Sequence, residues 1–90
     1  GVSVEPVNID TGIRQLLLVE DNPVIAKVLT KLLHRAGYEV MHAPHGGVGL
    51  ELCEHHGPFV SIVCDLMTPS VDGVEFVIRL RERGDGTPVV

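Results

Sequence analysis

Two short, nearly continuous apolar runs, Leu16-Leu17-Leu18-Val19 and Val60-Ser61-Ile62-Val63-Cys64, each stop directly on acid, the first at Glu20-Asp21 and the second at Asp65. Neither run is long enough for a helix, and both suit strands covered on two faces, as in a parallel sheet. If the two strands are neighbours, Glu20, Asp21 and Asp65 converge at the carboxyl edge of one sheet, where open α/β folds put their ligand sites.

The segments between and after these runs complete the pattern. Asn22-Pro23 supplies an N-cap and a first-turn proline, and Val24, Ile25, Val28, Leu29, Leu32, Leu33 and Ala36 recur at helical spacing up to Gly37 at the expected C′ position. Residues 38–43 read as a second strand. Gly46-Gly47 opens a weaker helix carrying Leu50, Leu52 and Cys53; Gly49 within it costs about 1 kcal/mol relative to Ala, so a short or frayed helix is expected. Residues 59–64 form the third strand, expected to be central. After a loop over residues 65–72, Val74, Phe76, Val77, Ile78 and Leu80 support a third helix, with Glu75 and Arg79 set for an i,i+4 ion pair. Gly84-Asp85-Gly86 ends that helix, and Thr87-Pro88-Val89-Val90 reads as the start of a fourth strand. Alternating strands and helices imply right-handed crossovers and a parallel sheet with helices on both faces. Residues 1–12 lack a sustained period and read as a tail or linker, so the domain is expected over residues 13–90.

Composition narrows the function classes. The chain has 90 residues, enough for one small domain that buries somewhat more than about 60% of its extended surface. A net charge of −5 with only seven Lys and Arg argues against a nucleic-acid surface. Cys53 and Cys64 are isolated thiols in apolar segments, which fits a reduced compartment better than a disulfide scaffold. No run approaches the roughly 18 apolar residues of a membrane span, and the expected location is cytoplasmic.

Three crowded carboxylates repel one another unless a cation neutralises them, and Mg2+ is the natural choice because it takes hard oxygen ligands, typically one or two carboxylates plus carbonyl, phosphate or water oxygens. With charge compensated, one carboxylate can attack phosphorus, since phosphoryl transfer asks the protein mainly for alignment and electrostatic stabilisation. The product would be an acyl phosphate on an aspartate.

Val19-Glu20-Asp21-Asn22-Pro23 resembles the opening of response-regulator receiver domains of two-component signalling. The stretch Asp65-Leu66-Met67-Thr68-Pro69-Ser70-Val71-Asp72-Gly73 resembles the phosphoacceptor loop of that family, with Pro69 and Asp72-Gly73 at the family's offsets. The resemblance runs from about Ile13 to Val90. It implies a flavodoxin-like doubly wound parallel sheet with strand order 2-1-3-4 in this chain. It also implies Asp65 as phosphoacceptor, Glu20 and Asp21 as the Mg2+-binding pair, and the backbone carbonyl of Met67 as a further metal ligand. Glu20 in place of a second aspartate is a usual variant. The expected partner is a sensor histidine kinase or phosphotransfer protein, and the Val-Glu-Asp-Asn-Pro wording is similar to receivers attached to hybrid histidine kinases. Such a domain is a signalling switch rather than a turnover enzyme.

The family's Ser or Thr at the end of the fourth strand, its Lys after the fifth strand and its last helix have no counterpart here; Lys27 and Lys31 belong to the first helix. The chain is therefore expected to be a piece of a longer receiver, with the fourth-strand edge open to pairing with another copy. The alternative in a different class is a non-phosphorylated pseudo-receiver that acts as an interaction scaffold. Other features point away from function. His34, His42, His45, His55 and His56 fit no tetrahedral metal spacing, and Gly46-Gly47-Val48-Gly49 lacks the Lys-Ser/Thr of a P-loop. Met67 stands where an aspartyl phosphatase would carry its second acid, leaving nothing there to protonate a leaving group.

Overall fold

The computed structural model describes residues 14–64 and 71–90. Its elements run β1 (Arg14–Val19), α1 (Pro23–Arg35), β2 (Tyr38–Ala43), α2 (Gly46–His56), β3 (Ser61–Cys64) and α3 (Val71–Glu82). The strands form one parallel sheet in the order β2-β1-β3. Beyond it, Ile62 N–H donates to the Pro88 carbonyl, and Val90 N–H donates to the Ile62 carbonyl, both at 2.8 Å. Residues 88–90 thus add a fourth parallel segment beside β3, which completes the expected order 2-1-3-4 and gives β3 partners on both sides. The Asp85 carboxylate shapes the turn into this segment by accepting from the Thr87 amide and hydroxyl, and those bonds hold its pKa below the usual carboxylate range.

Period-two alternation along β1 sorts its side chains between two cores. Leu17 and Val19 join Ala43, Ile62, Cys64, Phe59, Phe76 and Leu80 on the face covered by α2 and α3. Leu16 and Leu18 pack with Ala26, Leu29 and Leu33 of α1 on the other. The sheet is therefore doubly wound.

Local chemistry fixes the helix ends. Asn22 Oδ1 accepts from the Val24 and Ile25 amides at 2.9 and 3.2 Å, and Pro23 follows in the first turn. Gly37, at φ +98°, takes the left-handed conformation that ends α1. The apolar arc of α1 is wider than one sheet face can cover: Ala26 is buried and Leu29 and Leu33 partly so, whereas Val24, Ile25, Val28 and Leu32 are exposed. On α3, Arg79 Nε meets Glu75 Oε2 at 2.9 Å, the expected i,i+4 pair; both side chains are exposed, so it contributes only a few tenths of a kcal/mol.

Three expectations change. The second helix is neither short nor frayed, running 11 residues from Gly46 to His56. A Cβ on Gly49 would meet Phe76 Cε1 at 3.0 Å, and one on Gly46 would meet Phe76 Cβ at 2.8 Å. These two glycines, one turn apart, let α3 press its phenylalanine against the α2 backbone, and the burial gained offsets the propensity cost. The third helix begins at Val71 rather than after Asp72, since an acid is favourable in a first helical turn. The third strand is confined to residues 61–64, although Phe59 before it is buried in the core.

Candidate functional site

β1 delivers Glu20 and Asp21 at its carboxyl end. Val19 is register partner of Ala43 on one side and Cys64 on the other, so β1, β2 and β3 end level with one another on the same rim. Glu20 extends the ladder by one rung, its amide donating to the Ala43 carbonyl at 3.0 Å. Its carboxylate turns toward the start of α1, where Oε2 accepts from the Asn22 amide at 3.0 Å. Glu20 is half-buried and Asp21 is exposed. Two hard oxygen donors on adjacent residues, one oriented by a backbone amide, have the chemistry Mg2+ requires.

Asp65 and Met67 lie outside the described residues; β3 reaches Cys64, the residue before Asp65. Among the described residues no three His, Cys, Asp or Glu side chains gather as a metal cluster. The described half of the site is therefore the Glu20-Asp21 pair, on the rim where Cys64 hands the chain on to Asp65.

Two further residues tie this rim to the rest of the fold. Asp72 Oδ2 accepts from the Gly46 amide at 2.7 Å and so joins the first turn of α3 to that of α2. His42 Nε2 lies 2.7 Å from the Glu20 carbonyl oxygen. Reading the sequence assigned no role to His42, because its neighbour is defined by the β1–β2 register and not by spacing along the chain. Of the other histidines, His45 is the N-cap of α2, its Nδ1 accepting from the Val48 amide at 3.4 Å. Cys53 is partly buried, and that burial, reinforced by the Asp85 carboxylate, pushes its thiol pKa up, away from nucleophilic use.

The family model for the response regulator receiver domain matches residues 16–90. The chain belongs to the response-regulator receiver family. Similar proteins include the transcriptional regulatory protein TrcR of Mycobacterium tuberculosis, 36% identical across 84% of this chain and 29% of that protein. The response regulator receiver protein CpdR of Brucella abortus is 33% identical across 77% of this chain and 57% of that one. Among solved structures, the chemotaxis protein CheY4 of Vibrio cholerae superposes with a TM-score of 0.75 at 30% identity, over 87% of this chain and 66% of that chain. The receiver spans less than two thirds of the length of these relatives. Its parallel sheet with helices on both faces is the chemotaxis-regulator-like fold, and receivers of this family are signalling proteins rather than classical enzymes. No helix among the described residues is long and apolar enough to cross a membrane.

Proposed function

We propose that this receiver accepts a phosphoryl group from the phosphohistidine of a histidine kinase or phosphotransfer protein onto Asp65, and acts as a signalling switch. The observation that supports this reading most is the arrangement of the Glu20-Asp21 pair on the rim where β3 ends at Cys64, one residue before Asp65. In the transfer, a carboxylate oxygen of Asp65 forms the new O–P bond as the N–P bond of the phosphohistidine breaks, and the imidazole leaves. Glu20, Asp21, Asp65 and the Met67 carbonyl would hold Mg2+, which supplies charge neutralisation for the phosphoryl oxygens. Asn22 orients the Glu20 carboxylate through its amide and at the same time starts α1 through its side chain, so acid placement and helix placement share one residue.

A kinase partner is in keeping with a structural neighbour, the response regulator protein TrrA solved in complex with the histidine kinase ThkA, which superposes with a TM-score of 0.71 at 25% identity. The hybrid reading draws on the hybrid signal transduction histidine kinase B of Dictyostelium discoideum, 39% identical across 78% of this chain but only 4% of that protein. Location in the cytoplasm follows from the same reading.

Beryllofluoride, a stable mimic of the acyl phosphate, tests it. With Mg2+ present, saturable shifts are expected in the amide resonances of residues 20–22, and none when a chelator removes the metal. Absence of any response in the full-length protein would instead favour the non-phosphorylated scaffold.

A further inference from the structure

We propose that His42 is a positioning residue for the acid pair: its imidazole holds the peptide that joins Glu20 to Asp21. The inference rests on the reading above that this pair binds Mg2+.

Glu20 is anchored behind the peptide by its amide, which donates to the Ala43 carbonyl at 3.0 Å. Ahead of it, Asn22 is anchored by capping α1, and its amide donates to Glu20 Oε2 at 3.0 Å. Between two such fixed ends the two planar peptide units that flank Asp21 keep one easy motion, a joint rotation about the line from the Glu20 Cα to the Asn22 Cα. That rotation swings the Asp21 Cα with the side chain it carries, and it moves the Glu20 carbonyl oxygen along with them. The contact of His42 Nε2 with the Glu20 carbonyl oxygen, at 2.7 Å, opposes it. A carbonyl only accepts, so Nε2 must carry the proton and donate. His42 is held in place by β2, where it is register partner of Leu18. The strand next to the site thus helps set the orientation of the backbone that carries the acid pair, as an outer-sphere hydrogen bond does for a metal ligand.

The test is Mg2+ titration of the protein followed by the amide resonances of residues 20–22, in wild type, His42→Ala and His42→Gln. Loss of an outer-sphere partner costs roughly 10–100-fold in affinity, and for this exposed ring we expect about tenfold in His42→Ala. His42→Gln, which offers an amide N–H at comparable reach, is expected to recover most of the loss, with thermal midpoints unchanged throughout. Independently of any variant, 15N spectra of the wild-type ring are expected to show the proton on Nε2. Wild-type affinity in His42→Ala, or a ring with its proton on Nδ1 and Nε2 bare, overturns the proposal alone. A wild type that binds no Mg2+ overturns the functional reading and this proposal with it.

Discussion

Replacing Asp21 by asparagine is expected to abolish Mg2+ binding at micromolar-to-millimolar concentrations while leaving the fold intact. The two side chains have nearly the same shape, so the change removes charge and little else. Asp21 is exposed at the end of β1 and contributes to neither core, which puts the stability change within about 0.5 kcal/mol. The metal, by contrast, loses a charged oxygen. The dissociation constant should therefore rise by more than the roughly 10–100-fold typical of losing an outer-sphere partner, and acceptance of a phosphoryl group should fail with it. Calorimetric Mg2+ titration alongside a thermal melt separates the two effects. Unchanged affinity in Asp21→Asn would remove the residue from the site; a collapsed melting transition would mean that it holds the fold instead.

Phe76→Ala is expected to cost about 3–5 kcal/mol, the range for truncating a buried phenylalanine. The ring is 1% exposed and joins a core cluster that draws on all three strands, α2 and α3. Gly46 and Gly49 face it across α2 and carry no side chain, so neither position offers atoms that could turn into the space left behind. For a small domain with a total stability of about 5–15 kcal/mol, such a loss leaves little. Urea unfolding should show the midpoint falling steeply with little change in slope. A drop under about 1 kcal/mol would mean that the Phe76 ring does not hold α3 against α2.

These two residues also mark what the sequence could and could not disclose. The place of Glu20-Asp21 between β1 and α1 was legible because its cause is local: an aliphatic run too short for a helix, then the two acids, then a proline-marked helix start. Asn22 and Gly37 bounded α1 for the same reason, since capping chemistry involves residues a few positions apart. The parallel sheet with helices on both faces followed from alternation and handedness, whereas its strand order came from the family resemblance. What escaped notice was non-local. Gly49 looked like a defect of α2 because its compensation, the Phe76 ring, comes 27 residues later in the sequence. Asp72 looked like part of a loop because its partner, the Gly46 amide, belongs to another helix. His42 looked idle among five scattered histidines because only the parallel register of β1 and β2 brings its ring to the Glu20 carbonyl. Along α1 the periodicity identified the helix but not which of its apolar residues the sheet covers, since Val24, Ile25, Val28 and Leu32 are exposed.

Under the proposed function, Asp65 takes the phosphoryl group with the help of a divalent ion held beside Glu20 and Asp21. The most direct test is intact-protein and peptide mass spectrometry after incubation with acetyl phosphate and Mg2+, on wild type and on Asp65→Asn. One added phosphoryl group is expected on wild type, mapped to Asp65, absent from Asp65→Asn and absent when Mg2+ is chelated. A phosphoryl group mapped elsewhere, or one retained by Asp65→Asn, would contradict it.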